Sequence, residues 1–382
     1  MRIAYLTAND PMDRRSWSGT QFYMARALER HCGDVYCVGP LPLVSAKIAK
    51  IASRVLQGVG ITYLYTHTNS ISRRLGKLAQ DRMRGRDCDL IFAPAGSVVL
   101  AHYSTPLPIV YLSDATQKLM VGYYPEFNGL SRSSLRVADE MERIAIKKSS
   151  HSVFPSSWAA ESAVRDYGAD PAAVHVVPFG ANVEEWPDRS RALEGGPLDK
   201  CRMLFVGREW ERKGGEIAFE ALLALEQLGV DAELTVVGCT PAKGFRHPSL
   251  RVFPFLNKNN PVERAQLEEL YFRSHFFLLP TRAECFSIAL CEANAYGLPV
   301  LSTQTGGLLE LVRDGVNGFL FPLDARGHAY ASRVQEVFGS PAIYQTLRRS
   351  SREQFETRLN WDAWGRRMKA ILSAAIRSPR TS

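Results

Sequence analysis

The sequence predicts an α/β fold with two parallel-sheet domains. Short apolar runs alternate with longer stretches of helical periodicity along most of the 382 residues, a pattern typical of parallel strands joined by crossover helices. One polar stretch rich in proline and glycine interrupts this pattern near the middle, as a connection between domains does. At about 100–200 residues per domain, the length accommodates two domains with buried cores.

The predicted elements of the first domain, residues 1–184, begin with a strand at 2–7. A helix follows, in which Phe22, Ala25 and Leu28 have helical spacing. Further apolar runs predict strands at 34–38, 89–93, 108–112, 151–154 and 174–178.

Residues 185–200 predict a linker, because they combine proline, glycine and mixed charges with few apolar residues. The α/β pattern then restarts in a second domain, 201–358. The C-terminal stretch 359–382 has apolar residues at helical spacing and predicts a packing helix; the sequence leaves open whether it crosses back onto the first domain. The predicted strands of the second domain are 202–207, 232–237, 250–255, 275–279 and 299–302, and its predicted helices cover 215–228 and the stretch from Glu284 to about Tyr296.

Composition excludes several protein classes. With 46% hydrophobic and 10% aromatic residues, the chain has too much apolar content for a mostly disordered protein. No uncharged apolar run reaches the about 18–20 residues of a membrane-spanning helix, and Asn9 and Asp10 come too early for a signal peptide. The seven cysteines form no C-x-x-C pair and the eight histidines no H-x-x-x-H pattern. We therefore expect no metal site, no disulfide framework and a cytoplasmic protein.

Positive charge is concentrated in residues 44–86. This segment carries nine lysines and arginines against one acidic residue, Asp81, and so contains the whole net charge of +8. A protein that reads nucleic acid over much of its surface should be basic more widely, so no nucleic acid partner is expected. The spacing of apolar residues and cations predicts two amphipathic basic helices, around 47–55 and 71–84, of the kind that lie on anionic membranes. A solvated face and a site for an acidic soluble acceptor are the alternatives.

Glu284 and Glu292 form an E-x7-E pattern at a predicted strand-to-helix junction. We expect Glu284 at the junction and Glu292 about two turns into the helix, so that both face the same side. The amides of Phe286, Ser287 and Ile288 would then lie at a helix N-terminus, which attracts anions. Carboxylates placed there accept strong hydrogen bonds from sugar hydroxyls. The alternative is that Glu284 only complements the helix dipole and that Glu292 is solvated.

Three further motifs follow in order: G-L-P-V at 297–300, T-G-G at 305–307 and D-G-V-N-G at 314–318. With the E-x7-E pattern, this series resembles the retaining glycosyltransferases of family 4, whose GT-B fold has two Rossmann-like domains facing a central cleft. The resemblance covers nearly the whole chain and is strongest over 201–322. It implies an acceptor-side first domain and a nucleotide-sugar-binding second domain.

The resemblance also implies roles for residues in two glycine-bearing loops. Gly207, Arg208 and Lys213 match a family loop whose arginine and lysine hold the donor diphosphate. Two fixed cations can stabilise the negative charge of a departing nucleoside diphosphate, so no metal or other cofactor is expected. Gly19 matches a family glycine whose backbone approaches the donor, although the family often has two adjacent glycines there and this chain has one.

Two positions depart from the family pattern. Ser113 stands where many members have histidine, whereas Asp114 keeps the aspartate that follows it. Asp114 is expected to contact the sugar or the acceptor hydroxyl, with capping of the next turn as the alternative. Ser287 replaces a glycine, and its small hydroxyl leaves the amide accessible and adds a donor to phosphate.

These features predict transfer of a sugar from a nucleotide-sugar donor to a hydroxyl, with the anomeric configuration retained. The resemblance implies that Glu292 binds the ribose and Glu284 the sugar hydroxyls. Arg208, Lys213 and the helix amides would hold the diphosphate, which accepts the proton of the acceptor in a front-side substitution.

Three classes of acceptor stay open, namely a glycan, a lipid-linked molecule and a small molecule. A lipid-linked acceptor would place the protein peripherally on the inner face of the plasma membrane. The rival interpretations of the chain are a non-catalytic nucleotide- or carbohydrate-binding protein of the same fold and a basic nucleic-acid-binding protein.

Overall fold

The computed structural model describes residues 1–42 and 66–377 and divides the chain into two compact units. Unit 1 comprises residues 1–178 together with the C-terminal segment from Trp361, and unit 2 comprises Phe179–Asn360. Each unit contains a six-stranded sheet in which every pairing is parallel, so the predicted α/β class with parallel sheets is confirmed. Among the described residues, every helix is too short or too polar to span a lipid bilayer.

The sheet of unit 1 has the strand order β2-β1-β3-β4-β5-β6. Every residue of β3 and β4 is buried, which is why these central strands read as continuous apolar runs in the sequence. The strands are β1 (Arg2–Tyr5), β2 (Asp34–Cys37), β3 (Leu90–Pro94), β4 (Ile109–Leu112), β5 (His151–Phe154) and β6 (Val174–Val176).

Helices alternate with these strands, and hydroxyl side chains begin three of them. Thr68, Ser131 and Ser156 each accept a hydrogen bond from an amide in the first turn of α2, α5 and α6, which supplies an acceptor to an amide that has none within the helix. The helices are α1 (Thr20–His31), α2 (Asn69–Met83), α3 (Ser97–Leu100), α4 (Gln117–Met120), α5 (Arg132–Lys148) and α6 (Ser157–Tyr167).

Helix α2 contains the second of the two predicted basic helices. Its apolar side chains, among them Ile71 and Leu75, are buried in the core of unit 1, so the expectation of an apolar face free to lie on a membrane is corrected. Arg73, Arg74 and Lys77 remain exposed. The first predicted basic helix lies outside the described residues.

The sheet of unit 2 has the strand order β12-β11-β10-β7-β8-β9. The chain starts in the middle with β7, proceeds to β9 on one side, and then crosses to β10 on the other side, so the order reverses between β7 and β10. The strands are β7 (Cys201–Val206), β8 (Ala232–Val237), β9 (Leu250–Phe253), β10 (Phe276–Leu279), β11 (Val300–Thr303) and β12 (Gly318–Phe321).

Unit 2 begins before the position that the sequence predicts, and residues 185–200 are part of it. The fully buried Ala192 lies on α7 and its carbonyl accepts a hydrogen bond from Arg348 of α13. Arg352 of the same helix donates to the carbonyl of Pro187 (2.9 Å). These contacts join to unit 2 a segment whose polar composition predicts a linker. The helices are α7 (Arg189–Glu194), α8 (Gly215–Gln227), α9 (Pro261–Arg273), α10 (Ile288–Ala295), α11 (Leu308–Leu311), α12 (Gly327–Phe338) and α13 (Pro341–Thr357).

The C-terminal helix α14 (Trp361–Arg377) returns to unit 1 and packs against α1. Asp362, in its first turn, accepts hydrogen bonds from Arg30 (2.7 Å) and from the ring of His31 (2.8 Å) at the end of α1. Helical periodicity predicts this helix, whereas the unit on which it lies depends on contacts with residues more than 300 positions away.

His275 ties the start of β10 to the start of β7. It is fully buried; its Nδ1 accepts a hydrogen bond from the amide of Arg202 (2.9 Å), and its Nε2–H donates to the carbonyl of Gly196 (3.2 Å). Both ring nitrogens are therefore satisfied in the neutral form. Burial lowers the pKa of His275 to about 4.

The low pKa of His275 predicts that acid lowers the stability of unit 2. Below the ordinary histidine pKa of about 6.5 the unfolded chain binds a proton that folded His275 does not, so the free energy of unfolding should fall between about pH 6.5 and pH 4, by up to about 3 kcal/mol. His275→Asn should flatten this part of the pH dependence, measured by urea unfolding, whereas His328→Asn, at an exposed position of α12, should leave it unchanged. Equal pH dependence in the wild type and His275→Asn would contradict the assignment.

Candidate functional site

The loops that follow β7 and β10 meet at the point where the strand order of unit 2 reverses, which is where open α/β sheets bind ligands. The amide of Arg282 donates to the carbonyl of Arg212 (2.7 Å), and the side chain of Arg212 donates to the carbonyl of Ala283 (2.9 Å). Gly214 approaches so closely that a Cβ built on it would lie 1.9 Å from the carbonyl oxygen of Pro280. The two loops therefore form one hydrogen-bonded surface.

Lys213 and Glu284 form an ion pair across these loops. The side chain of Lys213 is 13% exposed and that of Glu284 8% exposed, and charges so far removed from water require compensating partners. A Cβ at Gly207 would lie 2.9 Å from Cγ of Lys213, and the glycine thus leaves room for the lysine stem. The amide of Gly307, in the T-G-G motif, donates to the backbone carbonyl of Glu284 (3.1 Å).

Glu292 lies on α10 and is buried, which contradicts the alternative that it is solvated. Its Oε2 accepts a hydrogen bond from the hydroxyl of Tyr271 (3.2 Å), and its Oε1 pairs with the ammonium group of Lys258. Each oxygen of a carboxylate can accept two hydrogen bonds, so Glu292 retains acceptor positions for a ligand.

The spacing argument for the two glutamates needs correction. Helix α10 begins at Ile288, so Glu284 lies in the preceding loop and Glu292 is only about one turn into the helix. The loop that carries Glu284 is bonded to the loop after β7, since Thr281 donates its hydroxyl to the carbonyl of Arg212 (3.1 Å). The two carboxylates consequently have different partners.

The N-terminus of α10 has no side-chain cap. Ser287 precedes the helix in an extended conformation without a capping hydrogen bond, which leaves the amides around Phe286, Ser287 and Ile288 oriented for an anion. The ring of Phe286 packs against Phe179 (5.0 Å between centroids). Arg208 is exposed in the loop that follows β7.

The opposite end of α10 is held by side chains from neighbouring elements. Arg352 donates to the carbonyl of Ala295, and Asn317 donates to the side-chain oxygen of Asn294 (2.7 Å). Asn317 belongs to the D-G-V-N-G motif and is buried, so this motif supports the helix from outside the site.

In unit 1, Asp114 and Gly19 are connected through Trp17. The three residues Trp17, Ser18 and Gly19 have positive φ (47°, 56° and 85°), a conformation that only glycine adopts without strain. This turn directs the indole Nε1 of Trp17 to the carboxylate of Asp114 (3.1 Å). Asp114 does not begin the next helix, because the residue that precedes α4 is Thr116.

A buried carboxyl group, that of Glu142, is close enough to Asp114 to sense its charge. Both oxygens of Glu142 are within 3.0 Å of the hydroxyl of Tyr111 in β4. Burial raises the pKa of Glu142 to about 7, against hydrogen bonds from Tyr111 and Ser97 that lower it. The negative charge of Asp114 raises it further.

Residues 200–339 match the family described as glycosyl transferases group 1. We call this matched segment of unit 2 the group 1 domain. The D-inositol 3-phosphate glycosyltransferase of Thermobifida fusca is 30% identical over 192 residues, which cover 46% of this chain and 44% of that protein. The glycogen synthase of Mycobacterium tuberculosis is 28% identical over 221 residues, covering 56% and 51%. The chain spans about half the length of the curated relatives it matches.

Solved structures share the fold along the whole chain. Sucrose-phosphate synthase from Thermosynechococcus elongatus has a TM-score of 0.67 at 17% identity, covering 99% of both chains. Anabaena HepE, solved in complex with UDP and glucose, has a TM-score of 0.62 at 18% identity, covering 98% of this chain and 100% of that one. The predicted GT-B fold class, with two Rossmann-like units, is confirmed.

Tyr271 escapes prediction from the sequence, because it reads as an apolar-face residue of α9. Lys258 belongs to the stretch 253–258, whose position in the sequence predicts that it lines the pocket of the nucleotide base. The contacts of both residues with Glu292 are visible only in the structure. The structure brings Lys213 and Glu284 together, and it leaves Arg208 exposed at the start of the same loop.

The close approach of the two loops in the group 1 domain predicts a large effect of Gly214→Ala. Both Gly214 and Gly229 have left-handed backbones (φ +76° and +77°), but a Cβ meets Pro280 at the first position and open space at the second. Gly229→Ala should cost about 1–2 kcal/mol of unfolding free energy from backbone strain. Gly214→Ala should cost several kcal/mol more in urea unfolding, and equal losses would show that the loops do not depend on this contact.

Proposed function

We propose that this chain is a retaining glycosyltransferase, which moves a sugar from a nucleotide-sugar donor to a hydroxyl acceptor. The observation that carries the proposal is the buried pair of Lys213 and Glu284, located where the strand order of unit 2 reverses and next to the uncapped N-terminus of α10. Such a place offers positive charge, helix amides and a carboxylate to one ligand. The group 1 family match of this segment supports the proposal.

The leaving group of the reaction is a nucleoside diphosphate, on which negative charge develops as the sugar departs. Lys213 supplies a fixed positive charge, Arg208 supplies a planar guanidinium that matches two phosphate oxygens, and the first amides of α10 add donors. Groups held in position before the reaction stabilise such a charge without reorganisation. We propose no metal or other cofactor for this step.

The two carboxylates take the hydroxyl groups of the donor. Glu284 binds hydroxyls of the sugar and Glu292 binds those of the ribose, since ionised carboxylates form strong hydrogen bonds to O–H donors. In this arrangement no carboxylate is required as a nucleophile opposite the leaving group, in contrast to retaining glycosidases. The departing diphosphate takes the proton of the acceptor hydroxyl as the new glycosidic bond forms on the same face.

The comparisons support the chemical class of both substrates. HepE was solved with UDP and glucose, which favours a nucleoside diphosphate as the part of the donor that the group 1 domain binds. Seven of the similar proteins are D-inositol 3-phosphate glycosyltransferases, which favours a polyhydroxylated acceptor. We place the acceptor on unit 1, near Asp114 and the turn of Gly19.

Loss of the Lys213 ammonium group should abolish most of the turnover. Lys213→Ala is expected to lower kcat for sugar transfer about 100- to 1,000-fold, the range found when one preorganised donor to a developing negative charge is removed. Turnover is measured as release of nucleoside diphosphate from candidate nucleotide sugars, with and without acceptors. Nuclear magnetic resonance of the product should show the anomeric configuration of the donor.

Lys200→Ala is the matched control. Lys200 also pairs with a carboxylate, Asp231 (3.2 Å), but it precedes β7 at the other end of the strand and should leave kcat unchanged. Near-normal rates in both Lys213→Ala and Glu292→Ala would contradict the proposed reaction. Binding of nucleotide sugars by the wild type without any turnover would instead indicate a non-catalytic binding protein.

We also propose that the basic segment 44–86 brings the protein to an anionic membrane on its cytoplasmic face, where lipid-linked acceptors are found. The exposed cations of α2, Arg73, Arg74 and Lys77, support an electrostatic contact. Because the apolar side chains of this helix are buried in unit 1, the contact of α2 is made by charge alone.

This contact predicts salt-sensitive flotation with vesicles that contain phosphatidylserine. Binding is expected at low salt and should be lost at about 500 mM NaCl, where exposed charges are screened beyond about 4 Å. A variant with glutamine at Arg73, Arg74 and Lys77 should bind more weakly, by about 1 kcal/mol per removed cation. Vesicles of neutral lipid are the control, and equal flotation of the variant and the wild type would exclude α2 from the contact.

A further inference from the structure

Glu292 is held by two side chains that differ in charge. The hydroxyl of Tyr271 donates to Oε2, and the ammonium group of Lys258 pairs with Oε1. Tyr271 is fully buried, and burial together with the charge of Glu292 raises the pKa of its hydroxyl well above the ordinary value. Tyr271 is therefore a neutral donor, and of these two partners Lys258 alone brings positive charge.

Lys258 is presented to Glu292 by a structured loop between β9 and α9. Glu263, in the first turn of α9, accepts hydrogen bonds from the amide of Asn257 (2.7 Å) and from the side chain of Asn260 (3.0 Å). These bonds fix the loop on both sides of Lys258. The lysine side chain is 44% exposed whereas that of Glu292 is 4% exposed, so the lysine covers a carboxylate that is otherwise inside the protein.

A carboxylate at such a depth is unfavourable without a cation. It would also repel a nucleoside diphosphate, because the ligand brings further negative charge to the same end of the sheet. The pair formed with Lys258 removes this repulsion while leaving acceptor positions on both oxygens of Glu292.

We propose that Lys258 is a positioning residue for the donor nucleotide, which neutralises Glu292 so that the carboxylate accepts ribose hydroxyls without repelling the diphosphate. This inference rests on the proposed function, since it takes a nucleoside diphosphate as the ligand of the site. Lys258 acts through Glu292, and the proposal requires no direct bond between Lys258 and the ligand.

The test titrates UDP, GDP and ADP into the wild-type chain by calorimetry and then uses the nucleotide that binds most tightly. Lys258→Met keeps the length of the side chain and removes its charge, and should raise Kd about tenfold, equal to about 1.4 kcal/mol. Lys258→Arg should restore Kd to within about threefold. The increase in Kd caused by Lys258→Met should become smaller as NaCl rises from about 50 to about 500 mM. Salt screens the repulsion between the unpaired Glu292 carboxylate and the diphosphate.

The double variant decides whether Lys258 acts through Glu292. When Glu292→Gln is already present, no charge remains to be neutralised, and Lys258→Met should change Kd by less than about twofold. An equal loss in both backgrounds would mean that Lys258 contacts the ligand directly and would overturn the proposal. In turnover, Lys258→Met should raise KM for the donor and leave kcat within about twofold, a split that general damage to the fold does not produce.

A matched control separates this effect from the loss of any lysine ion pair. Lys200→Met breaks the pair with Asp231 at the start of β7 and should leave Kd unchanged. If the wild type binds none of the three nucleotides, the proposed function and this inference both fail. If the wild type binds but Lys258→Met binds equally well at every salt concentration, this inference alone is overturned.

Discussion

The ion pair between Lys213 and Glu284 is the interaction on which the rest of the candidate site depends. It joins the loops after β7 and β10, the strands between which the order of the sheet reverses, and both charges are largely removed from water. A buried pair of this kind is stable only while both partners stay in place. The pair therefore requires small residues nearby. Gly207 leaves room for the aliphatic part of the Lys213 side chain, and Gly214 allows the two loops to come into contact.

The same principle extends to the second glutamate, so that each of the two carboxylates of the site is matched with a lysine of another loop. Glu292 is paired with Lys258, just as Glu284 is paired with Lys213. Helix α10, which carries Glu292 and offers its N-terminal amides, is held at its other end by Arg352. A ligand with both hydroxyl groups and negative charge is complementary to such a set, because carboxylates accept from the hydroxyls while cations and amides face the anion.

Unit 1 shows that one sequence pattern can serve two purposes. The regular spacing of apolar and basic residues in α2 is what an interfacial helix would have, and it is also what a helix on the surface of a sheet requires. In the structure Ile71 and Leu75 face the core and the cations face solvent. Near the carboxyl ends of β3 and β4, the strained turn at Trp17 and the buried acid Glu142 lie close to Asp114, so this end of unit 1 carries its own polar centre.

The sequence by itself determined the α/β class, the strands and the loops that bear the candidate residues, because strand and helix periodicities are local and the motifs follow one another in a recognisable order. The two-turn position that it predicted for Glu292 was wrong, because α10 begins only at Ile288. Only the tertiary structure decided which charges pair. Lys213 and Glu284 are 71 positions apart and Lys258 and Glu292 are 34 apart. Such contacts depend on the order of strands in the sheet and on the depth of each side chain, and neither is encoded in any short stretch of residues.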